Sequence, residues 1–194
     1  MPEPVKAILD ANVLYPFLLR DLLLSLAQQY LYVPKWSDDI EREWSSHLIQ
    51  NRPDIEPKII MRITDEMNRS FENAKVYGYK EIENQLQLTD PDDRHVLAAA
   101  IVSQSNVIVT FNLKDFNTEE LRKYNIDAVH PDKFVTGLIG QGEDQAKWAL
   151  RKMILRRTNP PITGDELIGR LKKSGLPETS ARFYDLFETP PFLE

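Results

Sequence analysis

Apolar and polar positions along this chain switch repeatedly between strand and helix periods. Val5 to Leu9 is a short apolar run cut off by Asp10. Apolar on both faces, it predicts a buried parallel strand. Asp10-Ala11-Asn12-Val13-Leu14 leads into Pro16–Gln29, whose apolar density predicts a helix. Leu31–Trp36 is the next predicted strand, although Pro34 removes a ladder donor. Ser37 suits the N-cap of a helix over Asp38–Ile49. Pro57–Phe71 carries Ile59, Ile60, Ile63 and Met67 at helical spacing, while Val76–Leu88 is ambiguous and part of it reads as strand. Asp90-Pro91-Asp92-Asp93 is a helix start, with a carboxylate cap and proline at the first helical position, for a helix running to about Ser105. Val107–Thr110 follows as a buried strand, and Asn117-Thr118-Glu119-Glu120 resembles a capping box for a short helix. Ile126–Val129 is the last predicted strand, and Pro131 starts another helix near Lys133–Ile139.

This alternation predicts an α/β fold with a central parallel sheet covered on both faces. Gly137, Gly140 and Gly142 mark a boundary. Beyond it, Asp144–Arg157 reads as helix, Asn159-Pro160-Pro161 breaks it, and Thr163-Gly164-Asp165-Glu166 is a capping box for a helix ending at Gly175. The expected organisation is a first domain over residues 1–136 and a C-terminal helical extension over 137–194. No internal repeat or low-complexity segment is present.

Composition narrows the chemistry. The chain of 194 residues is 42% hydrophobic and 28% charged, which is ordinary for a folded protein with one good core. It has no cysteine, so disulfides, thiolate metal sites and cysteine nucleophiles are excluded. No stretch has the length of a membrane span and the amino terminus lacks a signal-peptide run, so a cytoplasmic protein with no membrane partner is the expectation. The net charge of −6 argues against a generic polyanion binder. It is unevenly spread, however: Gln145–Gly175 holds eight basic residues and two acidic ones.

The acids gather at strand ends and helix starts. In a parallel sheet, ligands sit beyond the carboxyl ends of the strands. Asp10 ends the first strand, and Asn112 and Asp115 follow the strand Val107–Thr110, so both loops open on one rim. An isolated Asp after a strand is more often a turn former. Asp93 shares a helical face with Leu97 and Ala100, above the stripe facing the core, whereas Asp92 falls to the side. Capping accounts for one acid there, and three is more than a cap requires. On the Asp38–Ile49 helix, Glu43 lies closest by angle to the stripe of Trp36, Ile40, Trp44 and Leu48. Glu41 lies on the opposite flank; either could reach inward, or both belong to a solvated acidic face. Carboxylates converging on one rim repel unless a cation compensates, and oxygen-only ligation suits Mg²⁺ or Mn²⁺. Such ions activate water for attack on phosphodiesters. The histidines do not compete in this reading: His95 faces away from Asp93, His47 reads as core or boundary, and His130 precedes a proline.

Leu-Asp-Ala-Asn-Val-Leu at the first strand end, Glu-Arg-Glu-Trp in the following acidic helix, Asp-Pro-Asp-Asp-Arg-His-Val-Leu-Ala-Ala-Ala and Thr-Phe-Asn-Leu-Lys-Asp-Phe together resemble the successive signatures of PIN-domain ribonucleases. Within them the resemblance is to VapC-type toxins of type II toxin–antitoxin pairs, and it covers roughly Val5 to Phe134. It implies a three-layer α/β/α fold, Mg²⁺ dependence with Mn²⁺ as a substitute, and endonucleolytic RNA cleavage leaving 5′-phosphate and 3′-hydroxyl ends. It places the acidic site on Asp10, Glu43, Asp93 and Asp115, with the metal on Asp10 and Asp93. Asn12, Thr110 and Asn112 become supporting polar residues, and Asp90 a supporting or alternate ligand. A small antitoxin protein and a homodimer are further implications. The sixty residues beyond Phe134 depart from the usual core.

The acid set opposes a degenerate, non-catalytic RNA- or protein-binding module. A housekeeping RNA-processing nuclease would share the chemistry of a toxin. A receiver or phosphatase domain also places Asp after a first strand, but the early Asp-Ala-Asn lacks the second Asp a phosphatase would use. In the extension, Arg151, Lys152, Arg156 and Arg157 either contact RNA phosphates or dock the helix on the acidic body. Trp148, Ile154 and Leu155 give that helix an apolar side that predicts packing. Phe183, Tyr184, Leu186, Phe187, Phe192 and Leu193 form an aromatic-rich terminus suited to the body, a second subunit or an antitoxin.

Overall fold

The computed structural model describes residues 4–188. In chain order the elements are β1 (Lys6–Leu9), α1 (Ala11–Leu14), α2 (Phe17–Ala27), β2 (Val33–Ser37), α3 (Asp38–Asn51), α4 (Pro57–Ser70), β3 (Lys75–Val76) and α5 (Lys80–Glu83). A 3-10 turn over Pro91–Asp93 leads into α6 (Arg94–Val102), then β4 (Val107–Val109), a second 3-10 turn over Leu113–Asp115, α7 (Thr118–Arg122) and β5 (Asp127–Val129). Four helices close the described chain: α8 (Pro131–Gln141), α9 (Glu143–Leu155), α10 (Gly164–Lys173) and α11 (Pro177–Glu188).

Contacts divide the described chain into two compact units, residues 4–16 with 33–130, and residues 17–32 with 131–188. The first holds a five-stranded sheet in the order β3-β2-β1-β4-β5, with every pairing parallel. This is the α/β class that the alternation of strand and helix patterns predicts. Pro34 is tolerated in β2 because β3 pairs only with Trp36 and Ser37, leaving no partner to need its missing N–H. Ser37 closes β2 and caps α3, its Oγ accepting from the Ile40 N–H. The α3 face of Ile40, Trp44 and Leu48 is buried. Helix α6 packs on β1, β2 and β4, and its run Val96–Ala100 is fully buried. Each large side chain there contributes about 1.5–3 kcal/mol by burial.

Three expectations change in this unit. The helix after Asp90 begins as a 3-10 turn and ends at Val102, short of Ser105. The Asn117 capping box is half made: Asn117 accepts from the Glu120 N–H, but the Glu120 carboxylate turns to Lys123 and the Gln87 N–H. His47 is exposed on α3 and is neither core nor boundary.

The second unit gathers α2 with α8–α11. Leu19, Leu22, Leu23 and Leu26 of α2 are fully buried, and α2 packs on α9. Tyr32 meets Phe134 edge-on with ring centroids 5.0 Å apart. Gly137 and Gly140 lie inside α8 and do not interrupt it; Gly142 separates α8 from α9. The Thr163–Glu166 box is complete, with both reciprocal hydrogen bonds at the start of α10. Asp132, 4% exposed, accepts from the N–H groups of Glu178 and Thr179 at 3.0 and 2.8 Å, so a buried carboxylate on α8 caps the N-terminus of α11. The packed face of α9 is Ala146, Ala149, Leu150 and Met153, not the side marked by Trp148 and Leu155, which stay exposed. The alanines allow close approach on one side while the larger residues face solvent. Of the aromatic terminus, Phe183 and Leu186 are core and Tyr184 is partly exposed; Phe192 and Leu193 lie outside the described residues. Among the described residues no helix is long and apolar enough to cross a membrane.

Candidate active site

Strand β1 lies between β2 and β4, so the chain reverses its direction of travel across the sheet between β1 and β4. A parallel sheet leaves a crevice at such a point, beyond the strand ends. Asp10 follows β1 there and Thr110 follows β4, with Leu9 registered against Val109. The Asp10 N–H donates to the Val109 carbonyl at 3.1 Å, which continues the ladder into the site.

Asp10 is only 3% exposed. Its Oδ1 accepts from the Ala11 N–H at 2.6 Å, and its Oδ2 accepts from Thr110 Oγ1 at 2.6 Å and Asn12 Nδ2 at 2.7 Å. Asn12 Nδ2 also donates to Thr110 Oγ1, and its Oδ1 accepts from the Phe111 N–H. Thr110 Oγ1 in turn accepts from the Asn112 N–H at 3.0 Å. Asn12 and Thr110 thus fix the Asp10 carboxylate and the loop after β4 together. Asn112 contributes through its backbone, and the residue itself is exposed. Burial pushes the Asp10 pKa up to about 6; Thr110 opposes that rise and Glu43 adds to it.

Asp93 ends the 3-10 turn at φ −84°, ψ 0° and is half-buried, while Asp92 is exposed. Asp90 accepts from the Asp92 N–H at 2.9 Å and caps that turn. Burial raises the Asp93 pKa to about 7, helped by the charges of Asp10, Asp90, Asp115 and Glu43. All five sequence-selected acids are therefore within electrostatic reach of one point. Glu41 is drawn elsewhere: its carboxylate meets Lys75 at 2.9 Å and accepts from Asn68 Nδ2 at 2.8 Å.

His95 belongs to this site, against the expectation that it faces away. Its Nε2 lies 3.6 Å from Glu43 Oε2. Burial works to lower its pKa, but the Glu43 carboxylate, with Asp39 and Asp10, outweighs this and raises it. Because Asp93 sits in a 3-10 turn, a step of 100° per residue does not carry across Asp93 to His95. The sequence signal available was a polar imidazole two positions from the acid, directly before the apolar run Val96–Val102.

Among the described residues, no Lys or Arg forms an ion pair with Asp10, Asp90, Asp93 or Asp115. Nor do three acid or imidazole groups close around a point tightly enough to cage an ion by themselves. Asp10 is held by its own hydrogen bonds, and Glu43 leans to His95. An open, uncompensated, all-oxygen rim fits an ion that keeps several waters and binds through one or two carboxylates plus a substrate phosphate, as Mg²⁺ does. It does not fit a dehydrated structural ion.

The sequence matches the PIN domain family over residues 6–114 and the family described as VapC50 C-terminal domain over residues 131–185. It is 38% identical over 95 residues to a Mycobacterium tuberculosis protein named "Putative ribonuclease VapC50". That match covers 49% of this chain and 56% of the relative, so the chain spans about half the length of the curated relative it matches. No solved structure matches the chain.

Proposed function

Because the chain belongs to the PIN-domain family, we propose that it is a metal-dependent endoribonuclease and the toxin of a type II toxin–antitoxin pair. The observation that carries this reading is the set of Asp10, Glu43, Asp93 and Asp115 around the β1/β4 crevice, with the Asp93 pKa raised by burial and by its acidic neighbours. The name of the mycobacterial relative, a ribonuclease, supports the reaction class. Asp10 and Asp93 would hold Mg²⁺ or Mn²⁺, which when bound would lower the pKa of a water and polarise the phosphoryl oxygens. Asn12 and Thr110 keep Asp10 in one rotamer, and His95 steadies Glu43 by proximity. Glu43 and Asp115 complete the negative rim and orient the attacking water. Hydrolysis adds that water's oxygen to phosphorus and breaks the P–O3′ bond, leaving the leaving oxygen protonated as a 3′-hydroxyl. The partners under this reading are RNA, a small antitoxin that covers the acids, and a second copy of the chain; the setting is the cytoplasm.

RNA cleavage with Mg²⁺, with EDTA, and with Asp93→Ala tests it. We expect cleavage to vanish on chelation and to fall at least about a hundredfold in the variant, beyond the loss seen when only the supports of metal ligands are removed. Cleavage that persists in both, with circular dichroism unchanged, removes the acids from the chemistry.

A further inference from the structure

The second unit carries a surface that the nuclease site does not use. On α9, Trp148, Arg151, Lys152 and Leu155 stand at i, i+3, i+4 and i+7, hence on one face. Trp148 is 47% and Leu155 63% exposed, opposite the alanines that pack. The Arg151 guanidinium lies 5.7 Å and the Lys152 ammonium 5.8 Å from the Trp148 ring centroid. The indole is thus half in solvent, with two cations against its ring.

The same helix runs into a pocket of about 360 Å³ lined on its polar side by Arg156, Arg157, Thr158, Asn159 and Arg170 and otherwise by Pro160, Pro161 and Ile162. At 1.5 Å per residue, Arg156 lies about 12 Å along the axis from Trp148. Arg156 and Arg157 are anchored on Asp21 at 2.9 and 3.1 Å, and Arg156 also donates to Ser25. One carboxylate therefore holds two guanidiniums, leaving excess positive charge. Arg157 Nη1 is buried and makes no hydrogen bond among the described residues. A buried donor of that kind calls for an acceptor. Arg170, from α10, is exposed and has no ion pair among the described residues.

We propose that this face of α9 and its adjoining arginine pocket bind single-stranded RNA, with a base stacked on Trp148 and a backbone phosphate in the pocket among Arg156, Arg157 and Arg170. A stacking platform beside a cationic groove is the general design for single strands, because every base offers a π-face and every linkage a charge. The three guanidiniums on the pocket, with Arg170 exposed and Arg156 and Arg157 sharing one carboxylate, suit a phosphate better than an apolar protein segment. The proposal rests on the nuclease reading for the reason an RNA is present.

The test uses the full chain, a labelled single-stranded RNA of mixed sequence and EDTA, so that binding is read without cleavage. Trp148→Ala should weaken binding about tenfold, within the range for loss of one stacked base. Arg170→Ala should weaken it and reduce the slope of log K against log salt by about 0.7, one phosphate contact on a single strand. Trp36 and Trp44 are buried, so quenching of indole emission by RNA should come from Trp148 and disappear in its variant. Undiminished RNA binding in both variants, or no RNA binding by the unaltered chain, overturns the proposal. So does a loss confined to binding of polyglutamate, which would make the surface a dock for an acidic protein. A chain that binds RNA through Trp148 but never cleaves it with Mg²⁺ sinks the nuclease reading alone. Asp93-dependent cleavage with Trp148-independent binding sinks this surface alone.

Discussion

Two groups of acids on the first compact unit differ in their company. Asp38, Asp39 and Glu41 at the start of α3 are surrounded by cations. Lys75 reaches Asp38 at 2.8 Å and Glu41 at 2.9 Å, while Lys80 and Arg42 both meet Asp39, which also accepts from the Tyr79 hydroxyl at 2.9 Å. Burial alone would raise the Asp39 pKa, yet Lys80, Tyr79 and Arg42 hold it below the usual carboxylate range. Asp10, Asp90, Asp93 and Asp115 have no such cation among the described residues, and Asp10 and Asp93 are pushed the other way. Glu43, one turn beyond Asp39 on the same helix, belongs with the second group. The first group is internally neutralised and fastens α3 to β3 and α5. The second is left short of positive charge, as a rim that takes up a cation must be.

The two groups should respond oppositely to pH and unequally to metal. Asp10 and Asp93 keep their protons to about pH 6 and 7 when folded but only to about 3.8 when unfolded. Between those values the folded state binds more protons, so in EDTA their contribution to stability falls as pH rises from about 4 to 7. Asp39, with its pKa lowered, contributes stability above its unfolded pKa and loses it as pH falls through the folded one. The largest expected effect is on adding Mg²⁺ at neutral pH. The urea midpoint should rise, by about 2.7 kcal/mol of stability at a hundredfold excess over Kd. Asp93→Asn should abolish that response and flatten the pH slope. An equal response in the variant would place the ion elsewhere.

Thr110→Val comes next. It removes a fully buried hydroxyl that serves Asp10, Asn12 and the Asn112 N–H, and denaturant unfolding should show a loss of about 1–3 kcal/mol. His95→Ala should lower kcat/KM for RNA about tenfold with the fold retained, the low end for groups that steady the acids of a metal site. Unchanged kinetics would return His95 to a packing role. Smallest is Asp39→Asn, which should cost about 1 kcal/mol in urea unfolding while leaving Mg²⁺-dependent cleavage intact, since ion pairs whose cations stay in solvent are weak. If Asp39→Asn abolished cleavage, the division between the two groups would collapse.

Much of the architecture is legible in the sequence because its signals are local. Apolar runs on both faces mark β1 and β4, Ser37 marks the start of α3, and the Thr163–Glu166 box marks α10. The acids at strand ends are legible for the same reason. What is hidden depends on long-range partners or on a change of helix type. Nothing near Glu41 announces that Lys75 and Asn68 will hold it, and helical angle alone leaves Glu41 and Glu43 open. His95 is hidden by the 3-10 turn at Asp93. The packed side of α9 is hidden because two alanines on it carry less hydrophobic signal than an exposed Trp and Leu. The Asp132 cap on α11 joins residues 46 positions apart, beyond any local motif.

The grouping of α2 with the last four helices has a consequence for how the chain is made. The leucines of α2 leave the ribosome more than a hundred residues before α9, the helix that covers them, has been synthesised. At translation speeds of about 5–20 residues per second, that interval is on the order of ten seconds. Through that time an oily helix near the start of the chain waits without its mate. Folding of the second unit is therefore tied to the synthesis of α9, and nascent chains stalled before residue 143 should be held by chaperones through the α2 segment.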